Sequence, residues 1–249
     1  MTSTTSTTST TSPVAAVKNP ALGPFHDGRE MALAALLAVL AGATGAAAWL
    51  YTSGWYVTFM TGNSERMVLE HLKGNHALGI SAATAVAAFL FGVGTATLAR
   101  LYLWRKARHG ATIMATSASF VAWLCDVLLP DDGPQIGAIP VLCLAFGLGA
   151  LNTSISRRGE VVMPLSYVTG TLVKIGQGAS LHLAGVTRWA WVPHLSTYIG
   201  FLTGAAAGGI AFSVIGTQDS LLALWIIGAL ITLGAWRLDH PRFLVHDER

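Results

Sequence analysis

Hydrophobic residues run in long blocks from Met31 to Trp236, and block length rather than alternation sets the reading of the chain. Segments long enough to cross a bilayer, which takes about 20 residues, fall at roughly 31–52, 77–100, 111–130, 136–153, 194–215 and 219–236. The pattern predicts an all-α integral membrane protein of about six transmembrane helices. Residues 161–185 compete as a seventh span, but Lys174, Gln177 and the glycines at 170, 176 and 178 favour a re-entrant or interfacial segment. Its counterpart 54–74 carries Glu65, Arg66, Glu70 and Lys73 and is still less suited to crossing alone.

The two interruptions are copies of one pattern. Phe59-Met60-Thr61-Gly62-Asn63 and Tyr167-Val168-Thr169-Gly170-Thr171 stand 108 residues apart, and the same offset carries Arg66 onto Lys174. At an offset of 112, Ala88, Gly92 and Ala96 match Gly200, Gly204 and Gly208. A repeat of roughly a hundred residues follows: 31–130 forms a first membrane repeat and 131–236 a second. Three spans is an odd number, so the second repeat crosses the membrane in the opposite sense to the first, and paired interruptions in such inverted repeats point to a binding site.

Charge sets the orientation. Arg100, Arg105, Lys106 and Arg108 follow the second span, Arg157 and Arg158 the fourth, and Arg237 and Arg242 the sixth, which places those loops in the cytoplasm and Asp131 and Asp132 outside. Both termini are then inside a bacterial cytoplasmic (inner) membrane. Residues 1–30, rich in Ser, Thr and Pro, read as a disordered cytoplasmic tail, and 237–249 as a short cytoplasmic one. No signal peptide is expected, because the first long apolar run begins only at Met31 with a weak positive flank.

Composition agrees with the blocks: 53% of residues are hydrophobic, 11% are charged and the mean hydropathy is +0.56, whereas a soluble domain carries about 25% charge. The basic residues are accounted for by topology, so the net charge of +3 implies no nucleic-acid partner. Cys125 and Cys143 lie in apolar stretches and imply neither a disulfide framework nor a metal. His71, His76, His182 and His194 lack metal-ligand spacing, and no Walker loop, nucleophile elbow or Rossmann glycine pattern is present. An enzyme, a cofactor and a metal site are therefore not expected.

Small residues recur every four positions at Ala88, Gly92 and Ala96 and at Gly200, Gly204 and Gly208, predicting close packing of spans two and five at the repeat axis. Thr61 and Thr169 are candidate N-caps of short helices. Helices starting there from opposite sides would bring two positive dipole ends together near mid-membrane, where Arg66 and Lys174 would favour an anion or carboxylate. The bland alternative is that Thr-Gly ends a span and the two cations snorkel to headgroups. Asn152, after Gly147 and Gly149, either caps its helix or faces a cavity. Asp126 is an acid within the third span, functional by default, yet only about a turn from Pro130 and the hydrated interface. Trp49, Trp55, Trp189, Trp191 and Trp236 fall near span ends and read as interface anchors.

Phe59 to Asn63, and the run Ala145-Phe146-Gly147-Leu148-Gly149-Ala150-Leu151-Asn152 through Arg157-Arg158-Gly159 to Tyr167-Val168-Thr169-Gly170-Thr171-Leu172, resemble the YoaK-type family of uncharacterised bacterial multi-span membrane proteins over roughly 31–236. The resemblance implies a multi-span inner-membrane protein. It also implies an acid after a Gly-x-x in the first span, where this chain has Gly45.

The functional reading is a small-solute transporter or permease, with anions among the candidate solutes and substrate-binding residues Thr61, Gly62, Asn63, Arg66, Asn152, Thr169, Gly170, Thr171 and Lys174 at the repeat interface. Its expected partners are the lipid bilayer and the solute, with a homo-oligomer open to it. The alternative is a non-transporting scaffold or assembly factor, in which the Thr-Gly repeats are packing turns. A cavity lined by both Thr-Gly segments would favour transport, and a filled repeat axis the scaffold.

Overall fold

A computed structural model of the protein describes residues 28–50, 52, 55–104, 109–129, 138–157, 160–161 and 163–238. The expectations for 1–27, Arg105, Lys106, Arg108, Pro130 to Pro134, Arg158 and 239–249 lie outside the described residues. The described chain is helical: α1 Gly28–Leu50, α2 Met60–Leu72, α3 His76–Tyr102, α4 Gly110–Leu128, α5 Ala138–Leu151, α6 Val168–Leu183, α7 Val192–Ile215 and α8 Thr217–Leu238. The exception is a two-residue antiparallel hairpin, β1 Ser156–Arg157 with β2 Glu160–Val161.

Among the described residues, five helices are long and apolar enough to cross a bilayer: α1, α3, α4, α7 and α8. The block expected at 136–153 forms α5 of only 14 residues, about 21 Å at 1.5 Å per residue against a hydrocarbon core of about 30 Å. A reason for its C-terminal end is local: the chain turns at Asn152 and Thr153 into the hairpin. The segment 161–185 gives α6 of 16 residues, too short for a seventh span on the same measure. α2 is shorter still at 13 residues. α2 and α6 each end in a left-handed glycine, Gly74 (φ 83°) and Gly185 (φ 71°), the conformation that closes helix C-termini.

Large apolar side chains face outward as well as inward. On α3, Gly79, Ala82, Ala85, Gly92 and Ala96 are buried, while Leu90, Phe91 and Leu98 are more than half exposed. In water this helix would be inside out; in lipid, close packing of small residues is what joins helices.

The small-residue faces are used, but not with the expected partner. The two long helices α3 and α7 do not touch each other; α7 packs along α1, and α3 along α5. Gly204 lies so close to α1 that a Cβ would strike the Val39 carbonyl, and Gly200 and Gly208 sit against Ala35 and Ala43. On the other pair, Gly92 of α3 meets the Phe146 carbonyl of α5. The reciprocal glycines behave alike: Gly42 of α1 lies on the Phe201 carbonyl of α7, and Gly149 of α5 on the Phe89 carbonyl of α3. A glycine on both helices of a pair lets backbones meet, which small residues on α3 and α7 alone would not achieve if these helices faced each other. α5 also packs on α4, and α8 on α4 and α1, around a core that includes Leu37, Leu144, Leu148, Leu151, Phe212 and Leu221. α2 lies on α3 and α6 on α7.

Candidate functional site

The two Thr-Gly elements start α2 and α6, but the threonines do not cap them. The caps are Phe59 and Tyr167, with no side-chain cap hydrogen bond, and Thr61 and Thr169 are exposed two residues further on. The aromatic ring at each cap folds back over the glycine, so a Cβ on Gly62 would collide with the Phe59 ring and one on Gly170 with that of Tyr167. Aromatic-x-x-Gly is therefore the physical content of the repeat: the glycine is the seat for the ring. Around the first copy the stack continues, with Tyr56 against Phe59 (centroids 5.5 Å apart) and against Trp49 (4.4 Å).

The polar residue after each glycine is buried. Asn63, 1% exposed, donates from Nδ2 to the Tyr56 carbonyl, tying α2 to the connector from α1. Thr171 donates from Oγ1 to the Tyr167 carbonyl at 3.0 Å. Asn63 also lines a crevice between α2 and α3 with Trp55, Arg66, Leu78 and Ser81; it encloses about 10 Å³, room for one water. In the second half Lys174 is exposed on α6 and lies within electrostatic reach of His194 on α7. At the end of α2, outside the spans, Glu70 is held below the ordinary carboxylate range by hydrogen bonds from Asn75 first and Lys73 second.

Asn152 is a pin between α5 and the loop before α6. Its Nδ2 donates to the Leu148 carbonyl at 2.7 Å and to Ser166 Oγ at 2.9 Å, and its Oδ1 accepts from the Ser166 backbone N–H at 2.9 Å. With both ends of the amide engaged in a buried site, the helix-closing role holds over the cavity-facing one. Asn152→Ala is expected to cost about 1–2 kcal/mol, because it leaves the half-buried Ser166 N–H without its acceptor; an unchanged unfolding midpoint in detergent would refute the pin. The same offset of 108 carries Asn152 back to Thr44, which is buried and donates from Oγ1 to the Leu40 carbonyl at 2.8 Å. A Cβ on Gly45 would lie 2.7 Å from Cγ2 of Thr58, so the position where the resemblance puts an acid is closed by a packed threonine.

The predicted residues thus divide into two groups. Thr61, Gly62, Asn63 and Arg66 gather at α2, while Thr169, Gly170, Thr171 and Lys174 gather at α6, and α2 and α6 make no contact with each other. Asn152 joins the second group through Ser166. Each short helix lies on its own long partner, α2 on α3 and α6 on α7. Ser166 is the residue the sequence reading passes over. Its signal is present: a hydroxyl residue precedes the aromatic in both copies, Thr58-Phe59 and Ser166-Tyr167. Among the interface anchors, Trp49, Trp189 and Trp236 are exposed, whereas Trp191 is half-buried against Gly178. Asp126 is half-buried near the end of α4. The cysteines are unbridged, and the described residues contain no cluster of three His, Cys, Asp or Glu able to hold a metal.

The family described as "Protein of unknown function (DUF1275)" matches residues 33–235. A UPF0700 transmembrane protein of Rhizobium meliloti (strain 1021) is 26% identical over 211 residues, 84% of this chain and 87% of that relative. No solved structure matches the chain. The family match spans both Thr-Gly elements and reaches from α1 into α8, and the chain therefore belongs to the DUF1275 family, an uncharacterised family of membrane proteins.

Proposed function

We propose that this protein is a permease for small anionic solutes, built from two inverted halves, α1–α4 and α5–α8, in the bacterial inner membrane with both termini in the cytoplasm. The observation that carries this reading is the reciprocity of the packing. α1 of one half lies on α7 of the other and α5 lies on α3, through glycines at Gly42 and Gly149 and at Gly204 and Gly92. Such exchange between halves is the arrangement in which one repeat can rock against the other. In this reading α5 is the sixth crossing despite its 14 residues, because it is packed among α1, α3 and α4 and most of it is buried in protein rather than facing lipid, unlike α6. The two Thr-Gly helices lie near opposite faces, each offering a buried polar residue and a cation: Asn63 with Arg66 and Thr171 with Lys174. They act as two entrances in series rather than one shared site, and Asn152 holds the second in shape.

The test is flux of small anions into vesicles containing the purified protein, read by quenching of an entrapped dye. Arg66→Gln and Lys174→Gln are each expected to slow anion flux about five- to tenfold at low salt, the loss of one partly screened attraction, and the double variant to multiply the two effects. Neutral solutes are expected to be unaffected. Absence of flux above empty vesicles would overturn the permease reading. That result would favour the scaffold, whose support is the backbone-to-backbone contact between the halves.

A further inference from the structure

The chain carries a second duplication beyond the Thr-Gly elements. His71-Leu72-Lys73-Gly74 closes α2 and His182-Leu183-Ala184-Gly185 closes α6, 111 residues apart, and the glycine of each copy is left-handed. The imidazole of each copy meets an aromatic ring that the turn brings back to it. For His182 that ring is Trp189, with centroids 4.8 Å apart, and its Nδ1 lies 3.3 Å from the Thr187 carbonyl oxygen. For His71 the partner is a second imidazole, His76 at the start of α3, with centroids 4.9 Å apart and planes inclined at 68°. Their spacing in the sequence puts the two on no common helix face; the turn at Gly74 joins them.

Two imidazoles that share one metal ion at about 2.0–2.1 Å from each nitrogen, at angles from square-planar to tetrahedral, hold their ring centres about 4.5–5.2 Å apart. The separation of His71 and His76 falls in that interval. The His71 ring is also held in place. Its Nδ1 edge rests on Gly79, where a Cβ would strike Nδ1, so Nε2 is the nitrogen left for a ligand. Among the described residues no hydrogen bond uses either imidazole. Glu70 braces the turn: Oε1 pairs with Lys73 at 3.1 Å, and Oε2 accepts from Asn75 Nδ2, beside His76, at 2.8 Å. The same carboxylate offsets the Lys73 ammonium, which would otherwise repel a cation. Both histidines are exposed, so water can reach the remaining coordination positions.

We propose that His71 and His76 chelate one late first-row divalent metal ion, Cu²⁺ ahead of Ni²⁺ and Zn²⁺, at the corner between α2 and α3, with water in the remaining positions. Imidazole nitrogens suit these ions, and the general order of affinity places Cu²⁺ first. Two ligands on one braced corner make the second bond intramolecular, which favours the chelate over either imidazole alone. His182 meets an indole instead of an imidazole and serves as the chain's own control. The site uses none of the residues at the two entrances and stands apart from the permease reading.

The experiment is titration of Cu²⁺ into the untagged protein in detergent, read by calorimetry and by electron paramagnetic resonance of the bound ion. Wild-type protein is expected to take up one Cu²⁺ per chain, with nitrogen ligands in its spectrum. His76→Phe keeps an aromatic ring against His71 but removes the ligand, and it is expected to weaken binding by about tenfold or more at unchanged helical content by circular dichroism. His71→Ala is expected to do the same, and His182→Ala to leave binding as it is. Absence of stoichiometric uptake by the wild type, or unchanged affinity in a folded His76→Phe or His71→Ala variant, would overturn the proposal. An equal loss in His182→Ala would place the ion elsewhere and overturn it as well. Should one of the two ligand variants fail to fold, the other decides.

Discussion

Gly204→Ala is expected to destabilise the protein by about 3 kcal/mol or more, and Gly204→Leu to prevent folding. The added Cβ has nowhere to go: it meets the carbonyl, carbonyl carbon and Cα of Val39 in α1, and backbone cannot rotate away as a side chain tip can. Forcing even single methylenes into packed interiors costs about 1–3 kcal/mol, and here whole helices must separate. Gly92→Ala on α3 is expected to behave alike, since it meets the Phe146 carbonyl of α5. Gly94, two residues further on the same helix, has nothing within 4 Å, and Gly94→Ala is expected to be neutral or to stabilise by up to about 1 kcal/mol through reduced chain entropy. Unfolding midpoints of the three alanine variants in one detergent check this. Similar losses at Gly92 and Gly94 would mean that glycine matters for the helix itself and not for the contact between halves.

That contrast also marks what the sequence could convey. Ala88, Gly92 and Ala96 and their counterparts on α7 announce close approach, because a four-residue recurrence of small side chains puts them on one helix face. The partner is not announced. Gly42 and Gly149, which complete the contacts, each stand in helices already crowded with alanine and glycine, so neither is distinguished by spacing. Hydropathy likewise marks 136–153 as membrane-compatible without fixing where its helix stops; the stop coincides with a turn at Asn152 and a bond to Ser166, fourteen residues away. Pairing of that kind has no local pattern.

The candidate site was legible as two motifs and not as geometry. Thr-Gly read as a cap because threonine is a good N-cap and glycine permits a turn. In fact Phe59 and Tyr167 occupy the caps and use the glycines as ring seats, which leaves the threonines outward. The polar residues just past each glycine, Asn63 and Thr171, are both buried. The hydrogen bond between Thr116 and Thr232 left no trace in the sequence, since they are isolated hydroxyls in apolar spans and only the fold brings them 3.0 Å apart.

Inversion of the two halves is the claim on which the account turns, and equivalent positions test it. Lys73 and Ala184 are the C-cap residues of α2 and α6, and both are exposed. Three crossings separate corresponding points of an inverted pair, so the two positions must lie on opposite sides of the membrane. With the basic loops in the cytoplasm, Lys73 falls outside and Ala184 inside. The measurement is labelling of single cysteines by a membrane-impermeant maleimide in intact cells and again after the membrane is opened, in a background with Cys125 and Cys143 replaced by alanine. Lys73→Cys is expected to label in intact cells and Ala184→Cys only after opening; labelling of both from the same side would contradict the inverted architecture.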